Sequence, residues 1–93
     1  MRTIRFGHRF KRDYRREKSG RHAKQLDSAL SDVVDLLAAD APLPRRLFDH
    51  PLSGEWRDHR DCHVRPDLVL IYRKLGAEYL DLVRLGSHSE LGL

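Results

Sequence analysis

Two apolar runs joined by a short turn with one glycine constrain this chain most. Leu68-Val69-Leu70-Ile71-Tyr72 opens a segment, 68–74, with the composition of a buried strand. Tyr79–Leu85 follows, with Leu80 and Leu82 on one face and Tyr79 and Val83 on the other. Gly76 marks the short turn between them. Such strands must bury a face. The chain has 93 residues, room for one domain spanning 1–93, so the covering helices must come from its first half.

The first half supplies them. Arg2–Phe6 places Ile4 and Phe6 on one face and reads as a short strand. From His8 to Lys18 the residues are mostly helix formers, and Phe6, Phe10 and Tyr14 recur every four residues. Ser19-Gly20 is the stop, with Gly20 suited to a left-handed position. Leu26, Leu30, Val33 and Leu37 then fall at i, i+4, i+7 and i+11, predicting an amphipathic helix over 21–39 bounded by Pro42 and Pro44. Trp56–Cys62 reads as a polar strand and Gly86–Leu93 as a tail. Two early helices and three hairpin-linked late strands predict an α+β fold with an antiparallel sheet.

Composition narrows the class. Charged residues make up 34% and apolar residues 40%, as in a soluble globular domain rather than a disordered chain. No apolar run approaches the length that spans a bilayer, and no signal-peptide core follows Met1. Cys62 is the single cysteine and has no internal disulfide partner, so a cytoplasmic setting is expected.

Charge is unevenly placed. Residues 1–24 hold ten basic side chains against Asp13 and Glu17, a net +8, while the whole chain carries +4. A patch of this density attracts polyanions, nucleic acid above all.

Four polar groups lie around the late strands: His50, His63, Asp67 and His88, with Arg60 and Arg84 nearby. If the strands share one sheet, His63 and His88 converge at its edge and the two arginines point to one surface. Histidines with arginines suit RNA cleavage by its own 2′-hydroxyl. One group removes the 2′-OH proton, another protonates the leaving 5′-oxygen, and a cation steadies the extra charge. Histidine titrates in the right range and arginine forks onto phosphate. The plainer alternatives are surface or loop roles for the histidines, to which His8, His22 and His59 are left, and pairing of the arginines with Asp58, Asp61 or Asp81. Trp56 suits core packing better than base stacking. His59 and His63 sit four apart with Cys62 between, a spacing that converges on a helix but not on a strand, so no metal site and no cofactor are expected. Nothing marks Cys62 as an activated thiolate.

Three motifs occur in order: His50-Pro51-Leu52-Ser53-Gly54, then Cys62-His63-Val64-Arg65-Pro66-Asp67-Leu68-Val69-Leu70-Ile71-Tyr72, then Arg84-Leu85-Gly86-Ser87-His88. Together they resemble the YafQ branch of the RelE-type toxins of type II toxin–antitoxin modules, closely over residues 48–91. The resemblance implies two N-terminal helices packed on a four- to five-stranded, mostly antiparallel sheet. It implies ribosome-dependent endonuclease activity on mRNA in the 70S ribosome and neutralisation by a cognate acidic antitoxin, a heterotetramer being one arrangement. It carries the catalytic positions onto His50, His63, Asp67 and His88, and phosphate contacts onto Arg60 and Arg84. Gly92 departs from the family, which often has Phe there; an aromatic contact to a base or a packing contact of the tail is thereby in question.

Two functions compete at this stage. An endonuclease uses the histidines and the basic segment; a non-catalytic nucleic-acid- or ribosome-binding module needs only the latter. A toxin homologue that has lost cleavage is a weaker third reading. Among the histidines, His63 and His88 are the favoured proton-transfer pair, with His50 and Asp67 orienting or stabilising, although acid and base are not assigned.

Overall fold

The computed structural model describes all residues, 1–93. Strand β1 (Thr3–Phe6) leads into helix α1 (His8–Lys18) and helix α2 (Leu26–Ala38). Strands β2 (His50–Pro51), β3 (Arg60–Arg65), β4 (Leu68–Leu75) and β5 (Tyr79–Gly86) follow, and a short helix α3 (His88–Leu91) ends the chain. The five strands form one sheet in the order β1-β5-β4-β3-β2; β1 runs parallel to β5 and every other pair is antiparallel. The architecture is α+β, as expected, with a third helix added.

One face of the sheet carries the main core. Leu26, Leu30, Val33 and Leu37 of α2 and Phe10 of α1 pack with Cys62, Leu70, Tyr72, Leu80, Leu82 and Leu85. The other face holds a smaller cluster, Val69, Ile71 and Leu91, with Leu52, Trp56 and Val83 against it. Burying a Leu or Ile side chain stabilises by roughly 1.5–3 kcal/mol, so the main core dominates.

Several expected boundaries shift. Helix α2 begins at Leu26 rather than Arg21, because residues 21–25 offer only Ala23 for burial; they form a turn held by Ala23 N–H to Gly20 and Gln25 N–H to His22. Helix α1 stops at Lys18 through Ser19 N–H to Arg16 and Gly20 N–H to Glu17, without a left-handed Gly20. Gly76 does take positive φ, +56°, in the β4–β5 turn. The third strand is Arg60–Arg65, not 56–62; Gly54–Trp56 is a 3-10 turn. The tail is not loose. Ser87 caps α3 by accepting from Glu90 N–H, while the Glu90 carboxylate accepts from Ser87 N–H.

Strand β5 outruns β1. Beyond Leu82 its outer edge is met by α1: Asp13 Oδ2 accepts the Leu85 N–H at 3.0 Å and Arg16 Nη2 donates to the Leu85 carbonyl at 2.8 Å. Two side chains one helical turn apart thus replace a strand partner.

Candidate functional site

The site grows from the register of β3. Asp61 and His63 are two apart on the strand, so both face away from α2 and the main core, while Cys62 between them points into that core. Across the ladder Asp61 stands opposite Ile71, and His63 opposite Val69. Val69 in turn stands opposite Gly86, immediately before Ser87 and α3. His88 opens α3, and its ring centroid lies 5.0 Å from that of His63. On the other side β2 brings His50 opposite Asp61. His50 Nδ1 lies 2.9 Å from Asp61 Oδ1 and also 2.9 Å from the Phe48 carbonyl oxygen, but only the carbonyl is aligned to accept. Three histidines from β2, β3 and α3 therefore surround one carboxylate.

That carboxylate is unusual. Asp61 is 1% exposed, and its Oδ1 is buried without a hydrogen-bond partner. Burial pushes its pKa up, while His50, His63 and His88 pull the other way and lose. The imidazoles are oriented by backbone. His50 Nδ1 faces the Phe48 carbonyl, and His63 Nδ1 faces the Pro66 carbonyl at 3.2 Å. Each bond needs the proton on Nδ1, which leaves Nε2 of the neutral ring as a lone-pair acceptor. Two bases and a third imidazole beside a buried carboxylate can move protons in both directions. A hollow of about 410 Å³ opens beside them, lined by Phe48, Asp49, His50 and His63.

The other predicted site residues lie apart from this cluster. Asp67, in the β3–β4 turn next to Pro66, turns its carboxylate to Arg21 and to His22 Nε2 at 3.2 Å. Arg60 stands opposite Tyr72 on the helix-covered face and pairs with Asp49 at 2.9 Å; Tyr72 Oη donates to the same carboxylate. Arg84 is on the opposite face, level with Asp61 and Ile71, because β5 bulges at Val83. The bulge defeats the expectation that the two arginines share a surface. Arg84 pairs with buried Asp13 at 2.6 Å and lines a second hollow, about 460 Å³, with Arg9, Trp56 and Ser89. The arginines are thus ion-paired, but with Asp49 and Asp13 rather than Asp58, Asp61 or Asp81. Cys62 is buried, and burial pushes its thiol up to about 12, far from an activated thiolate. His59 packs edge-on to half-buried Trp56, 5.2 Å between centroids, and burial lowers its pKa.

The basic segment is half neutralised. Arg2, Arg5, Arg16, Lys18 and Arg21 pair with Asp40, Asp81, Asp13, Asp27 and Asp67. Arg9, Lys11, Arg12, Arg15 and Lys24 are exposed and make no ion pair. Four of these five are on α1.

A family model for YafQ, the bacterial toxin of a type II toxin–antitoxin system, matches residues 2–92. The chain belongs to the YafQ toxin family. It is 39% identical to the mRNA interferase toxin YafQ of Escherichia coli strain K12, with 81% of this chain and 91% of that one covered. Its fold is shared with the E. coli DinJ–YafQ complex, at TM-score 0.78 and 33% identity, covering 98% of each chain. It is shared also with a metal-bound toxin from Helicobacter pylori, at TM-score 0.82 and 40% identity, covering 98% of this chain and 99% of that one. This YafQ-type toxin places Gly92 at φ +73°, where it ends α3 by donating its N–H to Ser89, with the Leu93 N–H returning to His88. Glycine there terminates the helix that carries His88. Gly86, the last residue of β5, is needed for its lack of a side chain. A Cβ there would meet Arg16 Nη2 at 2.9 Å and Glu90 Oε1 at 3.1 Å, so the residue permits close packing of α1 and α3 on β5.

Asp61 is the residue sequence reasoning passed over as no more than an ion-pair partner. The signal was present. Once β3 is carried past Cys62 to Arg65, Asp61 and His63 share a face by simple alternation.

Proposed function

We propose that this YafQ-type toxin is a ribosome-dependent mRNA endonuclease that cleaves by attack of the 2′-hydroxyl on the adjacent phosphate. The observation that carries the reading is the convergence of His50, His63 and His88 on buried Asp61, with the His63 and His88 rings 5.0 Å apart. A site that only bound RNA has no need of imidazoles held with one nitrogen free. The name of the E. coli relative, mRNA interferase toxin YafQ, supports the same reading.

His63 and His88 exchange the protons: one imidazole takes the 2′-OH proton, the other gives a proton to the departing 5′-oxygen. His50 and Asp61 sustain their charge balance. Asp67, next to the carbonyl that orients His63, holds the β3–β4 turn through Arg21 and His22. Arg84, beside the second hollow, supplies positive charge toward phosphate, while Arg60 pins Asp49 and so holds the segment that carries His50. Proton transfer and charge stabilisation are all assigned to side chains, so no step calls for a metal or cofactor. The product is a 2′,3′-cyclic phosphate or the 3′-phosphate from its opening. The partners are the 70S ribosome, its mRNA, and an acidic antitoxin that covers either the cationic face of α1 or the histidines, in a heterotetramer or a simpler complex.

A message with a 2′-deoxy sugar at the cut site tests the chemistry. Cleavage should vanish; cleavage at the ordinary rate rules out 2′-OH attack. His88→Gln tests the assignment. His88 is exposed, so folding and ribosome binding should persist while single-turnover cleavage falls roughly 10²–10⁴-fold. Full cleavage by the folded variant would remove His88 from the mechanism.

A further inference from the structure

Phe48 is 65% exposed, the most exposed phenylalanine, tyrosine or tryptophan in the molecule. Its backbone is left-handed, φ +48° and ψ +42°, at the end of the 3-10 turn over Arg45–Leu47. That conformation is disfavoured for a bulky side chain. Burial of the ring does not compensate it, since the ring stays in water. Strain of this kind persists where the surroundings hold it, and it gathers at functional sites.

The conformation accomplishes two things. It turns the Phe48 carbonyl to His50 Nδ1, and it sets the ring 5.4 Å from the ring of His63. Phe48 thereby forms one wall of the hollow shared with Asp49, His50 and His63. We propose that Phe48 is a substrate-binding residue, the platform on which a nucleobase of the mRNA stacks beside the cleaved bond. The proposal deepens the endonuclease reading and rests on it. An exposed ring bordering the imidazoles is where the base flanking a reacting phosphate would lie. Stacking on an aromatic face tolerates any base, so Phe48 contributes affinity and position rather than a hydrogen-bonded code. Exposed Phe6 offers no comparable platform. Its ring is 6.0 Å from that of Phe10, beside α1, and it does not line the hollow of His50 and His63.

A merely structural Phe48 would shield His63, and leucine would serve that purpose. The test compares parent, Phe48→Trp, Phe48→Leu and Phe48→Gly in single-turnover cleavage of message on programmed ribosomes, with His88→Gln as the chemical control. Phe48→Trp should cleave like the parent. Phe48→Leu and Phe48→Gly should raise the half-saturating concentration and lower cleavage efficiency roughly ten- to a hundredfold, the range of one lost base stack. Phe48→Gly should also raise Tm, because glycine accepts the left-handed backbone. Stability and activity moving in opposite directions is the result a structural role would not produce. Full efficiency in Phe48→Leu overturns the stacking role and leaves the endonuclease reading intact.

Binding is read separately, so that the proposal is judged even if the parent does not cleave. An uncleavable 2′-O-methyl message carries 2-aminopurine in turn at each base flanking the cut site. Quenching at one position by the parent and by Phe48→Trp, absent with Phe48→Leu, supports stacking. Equal quenching by Phe48→Leu, or none by the parent at any position, overturns it.

Discussion

Asp61 works against the fold and for the site. Its carboxylate is almost wholly buried, one oxygen lacks a hydrogen bond, and burial holds its pKa above the ordinary value. Removing the charge while keeping the shape should therefore stabilise the protein. Asp61→Asn is expected to raise Tm at neutral pH, because it removes a charge that burial disfavours. The same change deprives His50, His63 and His88 of their shared counter-charge, and cleavage should fall at least tenfold. Paired thermal melts and single-turnover rates measure both effects; a variant that is both less stable and fully active contradicts the role. His50, His63 and His88 were legible in the sequence because each sits in a short motif. Asp61 was not, since it shares a face with His63 only if β3 runs past Cys62. Nor was the destination of Arg84, because alternation predicts one face and the bulge at Val83 delivers the other. Asp67 shows the same limit in reverse: its motif is plain, yet its carboxylate turns to Arg21 and His22.

Helix α1 divides its cations by task. Arg16, though exposed, is fully engaged: it bridges Asp13 at 3.0 Å and Glu90 at 3.3 Å and donates to the Leu85 carbonyl, so it ties β5 to α3. Arg9, Arg12 and Arg15 face water without acidic partners. The sequence shows a dense basic segment but not this division, which requires knowing that β5 extends past β1 and needs an edge partner. The clean test of polyanion attraction therefore spares Arg16. Arg9→Glu, Arg12→Glu and Arg15→Glu combined should leave Tm near that of the parent, weaken ribosome binding and flatten its dependence on salt, each lost phosphate contact reducing the slope by about 0.7–0.9. Equal binding at every salt concentration would show that α1 is not the docking face. Element boundaries were otherwise legible wherever apolar periodicity was strong, as along Leu26–Leu37 and Leu68–Tyr72. They drifted where polar residues carry the chain, as at 21–25 and 56–59, because there the structure is set by turns and local hydrogen bonds rather than by burial.

Across the whole molecule the carboxylates pull stability in two directions with pH. Asp40, bridged by Lys74 and Arg2, is held down at about 2, and Asp81, beside Arg5 and Arg73, is also lowered. For Asp13 burial opposes the charge, but the Arg84 hydrogen bond, the Leu85 N–H and Arg16 outweigh it, and its pKa too is lowered. A lowered carboxyl contributes stability that is present above its unfolded value, about 4, and is lost as pH falls through the folded value. Asp61 has the opposite sign: its raised pKa means the folded state keeps the proton longer, so stability is lost as pH climbs from about 4 through the raised value. The parent should therefore gain stability from pH 2 to about 4 and give part of it back above that. Two variants separate the limbs. Asp61→Asn should remove the decline at higher pH and leave the acid limb alone. Asp13→Asn strips Arg84 of its buried partner and weakens the edge of β5 at Leu85; it should cost about 3 kcal/mol at neutral pH. Because that cost shrinks as Asp13 itself protonates in the parent, the gap between the two proteins should narrow as pH falls below about 4. Denaturant titrations from pH 2 to pH 8 measure this directly. A constant gap between parent and Asp13→Asn across that range would mean that the Asp13 side chain stabilises through shape alone, and that its charge does not hold Arg84 and the free edge of β5 in place.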